Sequence, residues 1–141
     1  MGASGWDYSV PYQGDLGAAF AGLRRRVFDG HDYYWLGEDE GEPWPSTEEE
    51  LWEDEDVQEE GTHSILDIFR LIGPDEAEDC NTLRLVTDEE AFRLFGTRKP
   101  TRADVPELID LPCQRWRGRC AVLHDDRGMP QEIYFWGASG D

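Results

Sequence analysis

Residues 117–136 read RGRCAVLHDDRGMPQEIYFW, and this stretch decides the fold class. Two apolar-rich runs, Arg117 to His124 and Pro130 to Trp136, flank Asp125-Asp126-Arg127-Gly128. Asp bonds its own turn backbone and Gly tolerates positive φ, so the pattern predicts an antiparallel hairpin around a tight reversal. That turn would set Cys120 opposite Ile133 and Arg119 opposite Tyr134. Side chains alternate along a strand. One face would then hold Cys120, Val122, Ile133 and Phe135, and the other Arg117, Arg119, Tyr134 and Trp136. If the second face is exposed, its mixed cations and rings offer cation–π contacts of ~0.5–1 kcal/mol each.

Upstream, Thr101 is positioned to cap a helix over 102–110 that Pro112 ends, with Pro106 in the tolerant first turn. Thr87 and Glu90 form a capping-box pattern before a helix to Phe95, which Gly96 stops. Thr82 to Val86 reads as a strand. Ser64 to Ile72 is almost continuously apolar (Ile65, Leu66, Ile68, Phe69, Leu71, Ile72) and predicts a strand buried on both faces. At the N-terminus Trp6, Tyr8 and Val10 alternate with Asp7 and Ser9 as in a strand, which Pro11 and Gly14 break. Asp15 then caps a helix to about Phe28. Leu16, Ala19, Phe20, Leu23 and Val27 share one face of it, and Arg24, Arg25 and Arg26 lie toward the negative end of its dipole. Gly30 is a stop, and His31 to Leu36 reads as a short aromatic strand or loop. The order predicts one α+β domain over 1–141, with an antiparallel or mixed sheet and helices mainly on one face. Gly-Ala-Ser-Gly occurs at 2–5 and again at 137–140, read here as two small flexible ends.

Charge is distributed very unevenly. Thirteen of the 23 residues from Glu38 to Glu60 are Asp or Glu, and no Lys or Arg lies between Arg26 and Arg70. Residues 27–69 carry 16 acidic and no basic side chains, hence −16 of the net −19. A localised field of this kind steers oppositely charged partners and repels nucleic acid and anionic membrane. The acidic insert, about 37–61, opens with an irregular Gly- and Pro-containing loop over 37–46. Thr47 with Glu50 then starts a helix with few apolar anchors (Leu51, Trp52, Val57), ending by Gly61. Like charges at Glu49/Glu53 and Asp56/Glu60 weaken that helix. No apolar run approaches the ~18 residues of a membrane span. Met1 to Tyr12 lacks the form of a secretory signal, and three cysteines without paired spacing fit reduced thiols; a cytoplasmic location is the expectation.

Motifs for catalysis are scarce. Asp54, Asp56, Gln58 and Glu60 alternate as in a calcium loop, but Glu59 stands where the turn needs Gly. Cys113, Cys120 and His124, with Cys80 or His63, lack the close cysteine pair of a zinc site, and Cys120 reads as a core thiol. His31–Asp32 and His124–Asp125 point opposite ways if extended. His63 with Asp67 remains as an acid–base pair for a small hydrolase-type enzyme, without a nucleophile or anion hole beside it. There is no nucleophile elbow, phosphate loop, dinucleotide fingerprint or HExxH. No cofactor or metal is expected, and the dispersed arginines disfavour direct nucleic-acid binding.

Trp44 and Trp52 stand inside the acidic run and Trp35 just before it; indoles are favoured anchors of protein interfaces. The expected binding surface is therefore Trp35, Glu38, Asp39, Glu40, Trp44, Glu48, Glu49, Glu50, Trp52, Glu53, Asp54, Glu55 and Asp56, facing a basic protein. The stretches THSILDI (62–68) and EIYFWGASGD (132–141), with the size, acidity and Trp content, resemble an actinobacterial family and the small acidic immunity and antitoxin proteins of bacteria. That resemblance implies a non-enzymatic inhibitor that blocks the basic cleft of a toxin such as a nuclease or ADP-ribosyltransferase. A DNA mimic is the alternative, and it requires two ordered rows of carboxylates.

Overall fold

A computed structural model of the chain describes residues 5–111 and 113–140. The hairpin forms the middle of the sheet. Its strands are β4 (Arg117–His124) and β5 (Pro130–Ala138), and β1 (Gly5–Pro11) pairs antiparallel along the outer side of β5. β3 (Thr82–Leu85) runs parallel to β4, and β2 (Arg70–Ile72) parallel to β3, giving the order β1-β5-β4-β3-β2. The fold is α+β with a mixed sheet. A central strand is covered on both faces, which accounts for the unbroken apolar run from Ile133 to Trp136.

The face assignment of the hairpin holds, but its register differs. Cys120 lies opposite Phe135 instead of Ile133, and Arg119 opposite Trp136 instead of Tyr134. Asp125 N–H donates to the Met129 carbonyl, which draws Met129 into the loop, and an irregularity between Leu123 and His124 absorbs the rest. An even shift keeps every side chain on its expected face.

α1 (Leu16–Asp29), α2 (Leu36–Asp39), α3 (Glu48–Leu51) and α4 (Glu55–Glu60) cover one face. Their core joins Phe20, Leu23, Val27, Trp35, Leu51 and Val57 to Trp6, Leu83, Cys120, Ile133 and Phe135 of the sheet. α5 (Asp88–Phe95) and α6 (Val105–Ile109) cover the other face over a smaller core of Ala121, Leu123, Tyr134 and Trp136. The expected cation–aromatic face is therefore closed. Tyr134 and Trp136 are buried, and Arg119 grips both oxygens of Glu90, at 2.8 and 3.0 Å. Arg102, from outside the hairpin, makes a cation–π contact with that face, 5.7 Å from the Tyr134 ring.

Capping signals place the helix starts correctly. Asp15 accepts from Ala18 N–H, and Thr87 with Glu90 forms the full reciprocal box. Besides the helix expected over 102–110, which opens as a 3-10 turn over Arg102–Asp104 before α6, two segments depart from expectation. The helix foreseen from Thr47 to Gly61 breaks into α3 and α4, because the Asp54 carboxylate accepts from Asp56 N–H and starts a new helix. Ser64 to Ile72 is a strand only over its last residues. Ser64 Oγ accepts from Leu66 N–H and winds Ile65–Asp67 into a 3-10 turn. In both places a short polar side chain outcompetes the backbone ladder.

The C-terminal Gly-Ala-Ser-Gly is built into the fold, contrary to its reading as a loose end. The Trp6 indole lies across Gly137, where an added Cβ would sit 2.2 Å from the ring, and over Gly118 of the next strand. Ser139 is fully buried, and Gly140 lies flat against the Trp116 indole. Of the copy at 2–5, residues 2–4 lie outside the described residues.

Candidate functional site

The acidic segment is folded onto the body. Leu51 and Val57 are the buried plugs of α3 and α4. Arg24, projecting from α1, is the principal polar fastener: Nη1 donates to the carbonyls of Ile65 (3.2 Å), Leu66 (3.3 Å) and Ile68, and Nη2 pairs with Glu48. Burial draws the Arg24 guanidinium below its usual value and Glu48 pulls it back up. A charge-assisted cluster of this kind is stronger than neutral hydrogen bonds.

The structure divides the expected binding residues by task. Glu48 is held by Arg24, Glu50 Oε2 accepts from Ser46 N–H at 2.9 Å, and Asp54 both caps α4 and accepts from Trp35 Nε1 at 3.4 Å. These three carboxylates build the segment. Glu38, Asp39, Glu40, Glu49, Glu53, Glu55 and Asp56 are exposed and form its charged outer face. Trp35 is only 6% exposed and belongs to the core. Trp44 is half-buried, stacked 4.1 Å from the His31 ring and edge-on to Tyr33 at 5.2 Å, so it staples the loop between α2 and α3 to the body. Neither indole is presented as an open anchor.

Trp52 is different. It sits between α3 and α4, meets Phe69 edge-to-face at 5.1 Å, and lies 6.1 Å from the Trp116 ring. With Gln58, Cys80 and Asn81 these rings line an open groove of about 260 Å³. Phe69 is 52% exposed there. Sequence reading missed both of its partners. Phe69 was absorbed into a supposed buried strand, and Trp116, just before β4, carried no periodic signal. Trp116 is set by its backbone: it adopts φ 65°, donates N–H to the Ala138 carbonyl and accepts from Asn81 N–H, whose own φ is also 65°. Non-glycine residues in this left-handed region are uncommon and cost energy that the surroundings must offset.

Asp67 of the expected His63–Asp67 pair lies in a buried hydrogen-bond network. Asp67 is fully buried: Oδ1 accepts from Thr62 N–H (2.7 Å) and Thr62 Oγ1 (2.9 Å), and Oδ2 from Ser139 Oγ (2.8 Å). Burial raises the Asp67 carboxyl above its ordinary range despite these donors. Its oxygens join the 62–68 stretch to the C-terminal strap. The His63 ring stacks on Tyr34 at 5.0 Å. Cys120 is likewise enclosed, and burial pushes its thiol up to about 12. Among the described residues no group of three His, Cys, Asp or Glu is placed to hold a metal ion, and no helix is long and apolar enough to cross a membrane. No family model, curated protein or solved structure matches the chain.

Proposed function

We propose that this chain is a non-enzymatic binding module that inhibits a basic protein by covering its active cleft with the α2–α4 surface, as an immunity protein covers a toxin. The observation that carries this reading is the exposed carboxylate face of α3 and α4, fixed to the body and continuous with the Trp52–Phe69–Trp116 groove. Carboxylates held in place steer a cationic partner at long range, and a partly exposed aromatic cluster supplies the desolvated contact that slows its departure. The acids are divided among three short helices and the turns between them, with breaks at Glu40 and Trp52, so they form no single continuous helical row. This favours a protein cleft over the two continuous rows that imitation of a DNA duplex requires.

Kinetics test the reading. A protein captured from the source lysate at low ionic strength and released at higher salt is measured against wild type and the Glu49→Gln/Glu53→Gln/Glu55→Gln variant. These three carboxylates carry the charge without building the segment. Slower association and a flatter salt dependence are expected, with dissociation little changed. Association that keeps its wild-type rate and salt slope rejects the acidic-surface reading.

A further inference from the structure

We infer that the Trp52–Phe69–Trp116 groove receives one arginine side chain of the basic partner. This deepens the reading above and rests on it. The groove wall carries three aromatic rings and no cation. Gln58 Nε2 donates to the Trp52 carbonyl at 2.6 Å and Asn81 Nδ2 to the Asp67 carbonyl at 2.7 Å, which leaves both amide oxygens as acceptors. Exposed carboxylates adjoin three of the lining residues: Glu53 follows Trp52, Glu55 precedes Gln58 by one helical turn and Asp79 precedes Cys80, while the cations that adjoin Phe69 and Trp116, Arg70 and Arg117, are paired with Glu76 at 2.9 Å and Glu78 at 3.5 Å. Ring faces, amide acceptors and surrounding negative charge are complementary to a planar, weakly hydrated cation that donates through a fork.

The molecule already contains this pairing. The Arg24 guanidinium lies 5.8 Å from the centroid of the same Phe69 ring and 5.8 Å from that of Phe20, while its Nη2 is paired with Glu48. A second guanidinium arriving from solvent would meet the outer side of the cluster with the same chemistry: aromatic face, backbone or amide oxygen, carboxylate. Lysine presents a compact, strongly hydrated charge without the planar fork, so it gains less from the ring faces. An apolar anchor gains nothing from the neighbouring carboxylates or the amide acceptors. The space suits one side chain; it is too small for a helix laid in a groove, which spans several turns.

The test uses the full chain and three capped heptapeptides with lysines at both ends and, at the centre, arginine, lysine or the neutral isostere citrulline. Tryptophan fluorescence reads affinity, and mass mapping reads the alkylation rate of Cys80, the exposed thiol in the groove. At about 50 mM salt the arginine peptide should bind roughly three- to tenfold tighter than the citrulline peptide and slow Cys80 alkylation. Phe69→Ala, a change at an exposed ring, should erase that preference. Equal affinity for the three peptides, or a Cys80 alkylated at the same rate with and without the arginine peptide, overturns the inference. Polylysine separates this from the broader reading. Salt-sensitive polylysine binding that the triple Gln variant weakens, without any arginine preference, leaves the acidic surface standing and removes the groove from it. No binding of polylysine or peptide removes both.

Discussion

The acidic segment and the C-terminal hairpin are held to the same core by opposite means. β4 and β5 are eight and nine residues long, and every residue from Ile133 to Gly137 is buried. Their stability is spread over many side chains and two full ladders of hydrogen bonds. α2, α3 and α4 have four, four and six residues, with one buried residue each: Gly37, Leu51 and Val57. Helices this short are unstable alone. Their attachment is concentrated in Arg24, Leu51, Val57, the Trp35–Asp54 contact and the Trp44 staple. A distributed region loses stability as a whole; a region on few fasteners can be released on its own.

The largest expected effect tests the distributed side. Phe135 is fully buried in the central strand, and Phe135→Ala should cost about 3–5 kcal/mol. Denaturant unfolding should show a lower midpoint in one transition, with hydrogen-exchange protection falling across all five strands. Loss confined to β5 would mean that the hairpin is not the common core.

Next in size is Arg24→Ala. It leaves the carbonyls of Ile65, Leu66 and Ile68 and the Glu48 carboxylate without their shared donor, a loss of about 2–3 kcal/mol. Here the comparison predicts a local outcome: faster amide exchange over 48–60 and around the 3-10 turn, with β4 and β5 still protected. Equal deprotection of both regions would erase the distinction.

The same contrast explains what could be read in advance. The hairpin, α1 and α5 were legible because their signals are carried by neighbouring residues: two apolar-rich runs around Asp125–Gly128, five apolar positions on one face of α1, and a cap with its partner at Thr87 and Glu90. The acidic region gave up its charge and its first cap, Thr47, since those are local facts, but not the Asp54 cap that breaks the helix. Its fasteners were invisible because each is a long-range contact between residues that look ordinary in sequence. Arg24 read as a dipole cation, Ser139 as part of a loose end, and Trp116 as nothing at all. Nothing in the spacing of Trp35, Trp44 and Trp52 distinguishes a core indole, a staple and a groove wall, since that depends on what faces each ring.

Asp67 and Glu90 sharpen the contrast by pH. Burial pushes the Asp67 carboxyl up. The folded state therefore holds that proton more tightly than the unfolded chain, and Asp67's contribution is full below the unfolded value and lost as pH rises through the raised one. For Glu90, on the other face, burial also acts upward, but Arg119 and Thr87 N–H outweigh it and the net shift is down. Its contribution is present above the ordinary Glu range and lost as pH falls through the lowered value. Asp67→Asn can still accept from Thr62 and donate to Ser139, so it should remove the first dependence with little loss of fold. Asp67→Ala leaves Thr62 and Ser139 donors unpaired and should cost about 1–3 kcal/mol. Denaturant midpoints between about pH 4 and pH 8 check both, and a wild-type and Asp67→Asn pair with the same pH slope would show that Asp67 titrates alike in both states.

The smallest effect bears most directly on function. Glu49, Glu53 and Glu55 are exposed, are not among the carboxylates that build the segment, and lie beside other acids. Replacing them with Gln removes like-charge repulsion within one surface, so stability should change by no more than about 0.5 kcal/mol per site, toward higher stability if at all. Association with a basic partner should slow by far more than that figure implies, because steering acts on the encounter and not on the fold. The two measurements together isolate the role of the outer carboxylates. A stability loss comparable to that of Arg24→Ala would mean that these acids are fasteners after all. Unchanged stability with unchanged association would leave their charge without a function in binding.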